Sequence, residues 1–252
     1  SQLFRVWCLN MLSKNKWLSV LSVLAVLAVF GALALVIFYA PLELTMGLPQ
    51  KIFYFHVSSA WLGMVSFFVA AIGGILYLAR GKEVHDALSL AGVELGLLFS
   101  VLGTVTGMLW ARPVWNTYWT WDPRLTTMTI MGFTYLGYLL LRRAIDSPTR
   151  AARLGAIYAI VGFVSVPLTF FSARLLRTIH PTIFGNTGEK MVMTSPMYQT
   201  MAASIVAFTL LFVVLLWHRV RLEMAQRMLD SEPEEGTAKH HEAELDARGE
   251  EQ

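Results

Sequence analysis

Residues Leu18–Leu42 read LSVLSVLAVLAVFGALALVIFYAPL, an apolar run without one charged side chain. A helix crossing about 30 Å of hydrocarbon needs roughly 20 such residues, whereas the core of a signal peptide has only about 7–15. The run therefore predicts a retained membrane helix. Five comparable stretches follow, at Ile52–Ala79, Ala87–Leu109, Leu125–Leu141, Leu154–Phe171 and Tyr198–Trp217. The expected fold class is all-α, a polytopic membrane helix bundle of about six transmembrane helices. Composition agrees: 56% of the 252 residues are hydrophobic and only 15% are charged, too few to coat a soluble domain of this size.

The basic residues report topology rather than a nucleic-acid surface, because they fall between apolar spans and not along one amphipathic face. Arg5, Lys14, Lys16, Arg80, Lys82, Arg142, Arg143, Arg150, Arg153, Arg219, Arg221 and Arg227 form the larger set. Lys51, Arg112, Arg124, Arg174, Arg177 and Lys190 form the smaller one. The larger set marks the cytoplasmic side, so both termini are expected there, and the loops 43–51, 110–124 and 172–197 face outward. A transmembrane domain over residues 1–228 is followed by an acidic tail, 229–252. That tail holds too few large apolar side chains to fold alone, and it is expected to be disordered. Its His240 and His241 read as solvated residues. Cys8 is the single cysteine, which excludes an intrachain disulfide and the C-x-x-C-H signature of covalent haem attachment. No phosphate-binding loop occurs, so ATP chemistry would belong to a partner.

Within the third span, Gly92, Gly96, Ser100, Gly103 and Gly107 recur at helical spacing and form a stripe that lets a neighbouring helix approach closely. Glu94 lies in the same span; it either faces a polar partner or reaches for the interface. Pro167 marks a kink in the fifth span.

The segment Trp110–Arg124 reads WARPVWNTYWTWDPR and holds four of the eight tryptophans of the chain. An interfacial aromatic belt accounts for one or two of these, not for the cluster. If the stretch between Pro113 and Pro123 forms a short helix, Trp115, Tyr118, Trp119 and Asp122 share one face as an aromatic platform. Such a platform suits a flat apolar ligand, and a porphyrin fits best. Its iron needs axial donors. His56, in KIFYFHVSSAW (Lys51–Trp61), and His180, in RTIHP (Arg177–Pro181), lie on the same outward side. His85 and His218 do not. Lys51, Arg112, Arg124 and Arg177 could pair the propionates, with lipid phosphate as the plainer use of an outward cation; Arg124 could also pair Asp122.

The stretch WNTYWTWDPRLT (Trp115–Thr126) resembles the tryptophan-rich WWD signature of haem-handling proteins in cytochrome c biogenesis. The flanking histidines and six spans resemble its CcmC branch, over nearly the whole chain up to about Arg221. Asn116 stands where the family has glycine, Tyr118 replaces an aromatic, and Pro123 replaces a small residue. The resemblance implies that His56 and His180 are axial ligands of the iron of a transient, non-covalent haem b. Trp115, Trp119, Trp121 and Asp122 then form the signature of the WWD segment (110–126) against the macrocycle, with Trp110 and Tyr118 as further candidates beside them on the reading of the residues. It further implies an inner-membrane protein with its site on the periplasmic face, in a complex with CcmA, CcmB and CcmD, that presents haem to the chaperone CcmE. No conventional enzyme chemistry is implied beyond assisting covalent attachment of haem to that chaperone. Three rivals are weaker on sequence. A haem exporter would need a matching cytoplasmic set of aromatics and histidines. A cytochrome b would hold both ligands within helices. A larger WWD synthase would have more spans and another histidine pair.

Overall fold

The computed structural model describes residues 15–181 and 193–230. Arg5, Cys8, Lys14, Lys190, His240, His241 and the acidic tail beyond Asp230 lie outside the described residues, as do residues 182–192 of the third outward loop. The described chain is helical: α1 (Lys16–Ala34), α2 (Ile52–Arg80), α3 (Glu83–Trp115), α4 (Pro123–Arg143), α5 (Pro148–Gly162), α6 (Ser165–Leu175) and α7 (Ser195–Asp230). Among the described residues, five runs are long and apolar enough to cross a membrane: Lys16–Tyr39, Leu48–Arg80, Glu83–Trp115, Pro148–Leu175 and Ser195–Asp230. The expected fourth span, α4, falls short on composition rather than length. Its 21 residues reach about 31 Å, but it is rich in threonine. Those hydroxyls bond back to the helix, Thr127 to the carbonyl of Pro123 at 2.8 Å and Thr134 to that of Ile130 at 2.8 Å. With these hydroxyls satisfied, α4 sits in the bundle as its sixth member, against α3, α5 and α6.

Local chemistry sets the boundaries. Asn15 caps α1 by accepting from the amide of Trp17 at 3.1 Å, and the helix ends in a π-turn, Leu35–Tyr39. Gly81, at φ +64°, closes α2 with the left-handed residue that ends many helices. The expected fifth span is two helices. α5 stops at Gly162 and α6 starts at Ser165, so the break sits around Phe163 and Val164. Pro167 cannot donate to the carbonyl four residues back, that of Phe163, which places the kink where it occurs.

The glycine stripe of α3 does what its spacing predicts. A Cβ on Gly92 would come within 2.8 Å of the backbone of Ala70, and one on Gly103 within 3.3 Å of that of Ala60. α2 and α3 accordingly form the main packed pair of the bundle. Beneath their upper half the centre is filled: Phe67 stacks on Tyr135 at 3.7 Å, among Met64, Val93, Met131 and Tyr138.

At the other end of the bundle, Glu94 is explained by a partner. Arg219 of α7 grips it through two nitrogens, at 2.5 and 2.9 Å. Close by, Asp86, only 1% exposed, accepts both from Arg142 of α4, at 2.5 and 2.9 Å, and from Arg227 of α7, at 2.7 Å. Glu223 bridges Arg219 and Arg227 at 3.0 Å each. The charges that the apolar sequence concentrates at this end thus tie α3, α4 and α7 together.

Candidate functional site

The opposite end gathers the start of α2, the end of α3, the start of α4 and the end of α6. His56 lies one turn into α2, and its Nδ1 donates to the carbonyl of Gly103 on α3 at 2.8 Å. Gly107, one turn further along, leaves room for the ring; a Cβ there would stand 2.8 Å from His56 Cε1. The last two members of the glycine stripe therefore orient a histidine as well as packing a helix.

His180 lies beyond the end of α6. Its amide donates to Oγ1 of Thr178 at 3.0 Å, and Thr178 in turn donates to Asp122. The Nδ1 of His180 donates to the carbonyl of Pro181 at 3.0 Å. In both rings Nδ1 is spent on a carbonyl, which fixes the tautomer and leaves Nε2 with its lone pair. The ring centres stand 6.3 Å apart. Burial, the Arg124 guanidinium and the neighbouring His56 ring together hold the His180 imidazole down to a pKa of about 3, so it is neutral, the form that binds metals.

Two imidazoles bound to one metal from opposite sides, with bonds of about 2.0–2.1 Å and the ring centre about 1.1 Å beyond each nitrogen, would place their centres roughly 6.3 Å apart. The observed spacing fits such a pair. Among the described residues no group of three or more His, Cys, Asp or Glu could hold a metal ion. A metal between these two rings would need its other donors from a ligand it arrives with, which is what a tetrapyrrole supplies.

Two clefts flank the pair, and His56, Ala60, Arg124 and His180 border both. The first, with about 610 Å³ of free space, is walled by Trp110, Trp115, Tyr118 and Trp119. Trp115 sets its edge towards His180 at 6.5 Å and towards Trp110 at 4.9 Å. The indole nitrogen of Trp110 is buried without an acceptor among the described residues, so a donor is available at this wall. The second cleft, with about 1250 Å³, lies towards α6 and α7.

The tryptophan segment is not the short helix that the spacing predicts. α3 runs on through Pro113 to Trp115, and Asn116 stops it in the left-handed region at φ +56°. Residues 116–122 are irregular up to the start of α4. Three- and four-residue periodicity therefore fails here. Trp115, Tyr118 and Trp119 still reach the cleft, but Asp122 does not join their face. Its carboxylate caps α4, accepting from the amide of Leu125 at 3.0 Å, while its other oxygen holds Thr178. Trp121 is 74% exposed and only meets Trp119, edge on, at 5.7 Å.

Not every expected cation faces the pair. Arg124 does, anchored by donation to the carbonyls of Thr169 and Phe170 on α6 rather than by Asp122. Arg112 is held back by Asn116, whose carbonyl accepts at 3.0 Å, and lies over the Tyr118 ring at 5.7 Å. Lys51 points to α1, donating to the carbonyl of Ile37 at 2.8 Å. Arg177 borders a neighbouring open depression beside Trp115 and Thr178. Sequence reasoning missed Gly103, Gly107 and Thr178 as supports of the two histidines. The glycines carried a packing signal that concealed the second use, and nothing in the sequence singles out Thr178.

The family model described as "Heme exporter protein C" (CcmC) matches residues 7–234. Among similar curated proteins is a "Heme exporter protein C" of Bradyrhizobium diazoefficiens, 37% identical over 193 residues, which are 76% of this chain and 73% of the relative. That of Escherichia coli K12 is 30% identical over 183 residues, 73% of this chain and 74% of the relative. A ccmC-like mitochondrial protein of Arabidopsis thaliana, named for cytochrome c biosynthesis, is 34% identical over 141 residues, 56% of this chain and 53% of the relative.

Proposed function

The chain belongs to the Heme exporter protein C family, and from that premise we propose that it holds a non-covalent haem b between His56 and His180 and presents it to the chaperone CcmE. Family membership supports a multi-pass membrane protein that handles haem for cytochrome c maturation. The finer reading rests on one observation above the others, the two imidazoles with centres 6.3 Å apart and both Nδ1 atoms engaged by carbonyls.

Haem supplies the iron and four equatorial nitrogens; this chain supplies position. His56 is fixed by α3 and His180 by the Thr178–Asp122 link, so the two donors are brought into place by different elements. The aromatic rings of Trp115 and Trp119 offer apolar area on one side of the slot. Arg124, between the two clefts, is the cation suited to a propionate. The work is orientation: a tetrapyrrole held by both faces leaves an edge for a partner to attack. The packed centre beneath, with Phe67 stacked on Tyr135, favours presentation on one face over passage of haem through the bundle. The larger set of basic residues, at the far end, favours an inner-membrane orientation with the site on the periplasmic face. CcmA, CcmB and CcmD complete the proposed complex, CcmA providing ATP hydrolysis.

Purification of the full chain in detergent and comparison of its haem spectrum with those of His56→Ala and His180→Ala tests this reading. A low-spin spectrum lost in either variant is the expected result. Full retention of low-spin haem in both overturns it.

A further inference from the structure

The two clefts beside the histidine pair have different surroundings, and the difference bears on how a ligand arrives. Along α2 the second cleft is lined by Phe53, Val57, Trp61 and Met64, a stripe at four- and three-residue spacing. Eleven residues of helix span about 16 Å, so the cleft descends from the end of the bundle through about half of a hydrocarbon core. Its opposite wall is Phe170 of α6 and Ile205 of α7, both on membrane-spanning runs. Trp61 is 44% exposed on the outside of the bundle, and Phe68, two turns further along α2, is exposed as well. The cations are confined to the upper rim, at Arg124 and Arg174. α2 packs along α3, α5 and α7 but only marginally against α6, and α6 and α7 are not packed on each other, which leaves the cleft open between them among the described residues.

Resting on the haem reading above, we propose that the second cleft is a lateral passage through which the tetrapyrrole moves between the adjoining bilayer leaflet and the His56–His180 pair. Haem is itself an amphiphile of matching polarity. Its apolar edge partitions into hydrocarbon, and its two propionates stay near the interface, where the arginines are. A porphyrin dissolved in the leaflet with its propionates up would meet an apolar floor below and cations above, and would reach the two imidazoles without crossing water. The Trp-side cleft, with half the free space and walled by the 116–122 segment, then receives the leading edge of the macrocycle.

The test uses the full chain in nanodiscs, mixed with vesicles preloaded with haem, and follows the low-spin signal in time. Ile205→Trp narrows the cleft from its α7 wall; it is expected to slow uptake by about tenfold or more, with the end-point spectrum of the wild type. Trp61→Ala opens the mouth and is expected to take up haem at least as fast as the wild type. Equal uptake rates for Ile205→Trp and the wild type overturn the passage while leaving the haem site intact. Slowing of Trp61→Ala to the rate of Ile205→Trp also overturns it, because loss of packing would then explain both. A wild-type chain that never develops the low-spin signal overturns the haem reading, and the passage with it.

Discussion

His56 keeps its orientation because two positions on a neighbouring helix have no side chain. Gly103 offers its carbonyl to Nδ1, and Gly107 leaves space for Cε1. Gly107→Ala should therefore push the ring from its place. The expected loss of haem affinity is roughly 1–3 kcal/mol, read by haem titration, with the helix itself slightly favoured by alanine. His180 adds a dependence on pH. Its folded pKa of about 3 lies below the usual value near 6.5. Between these values the unfolded chain takes up a proton that the folded chain refuses, so this residue's contribution to stability is full above about 6.5 and declines as pH falls towards 3. In thermal melts of the haem-free protein, His180→Gln should flatten the decline over that window; an unchanged slope would mean that the ring is not buried as a neutral base.

At the scale of elements, Asp122 joins three of them: it caps α4, ties down the loop after α6 through Thr178, and ends the tryptophan segment. Asp122→Ala should cost about 0.5–2 kcal/mol through the lost cap and should also weaken haem binding, since His180 loses its support. Asp122→Asn keeps an acceptor for the cap and should recover most of the melting temperature. The helices were legible in the sequence because hydrocarbon-length apolar runs have few alternatives. Even the stop at Gly162 follows from Pro167. The tryptophan segment was legible as composition but not as shape. Its helical spacing suggested a platform including Asp122, whereas Pro113 continues α3 and Asn116 ends it, and a residue that caps one helix cannot also lie on the face of another. The cations show the same limit: Lys51 and Arg112 share the site's side of the membrane, yet carbonyls near them in sequence or space hold their charges elsewhere.

For the whole molecule, the two ends divide the work. The far end is a network of Asp86, Arg142, Arg227, Glu223, Arg219 and Glu94 that fastens the long last helix to the bundle. Asp86→Ala leaves two guanidinium groups without their shared acceptor and should destabilise the folded protein by about 3–5 kcal/mol, measured by thermal unfolding in detergent, while the haem spectrum of the surviving protein stays that of the wild type. The site end brings together residues from α2, α3, α4 and the segment after α6 that are far apart in the chain, and its central claim is that His56 and His180 are the two axial donors. Exogenous imidazole tests this most directly. His180→Gly, loaded with haem, should lack the low-spin spectrum and regain it when imidazole is added to occupy the vacated position. A low-spin spectrum already present in His180→Gly without imidazole, or one that imidazole fails to restore while haem remains bound, would contradict the assignment.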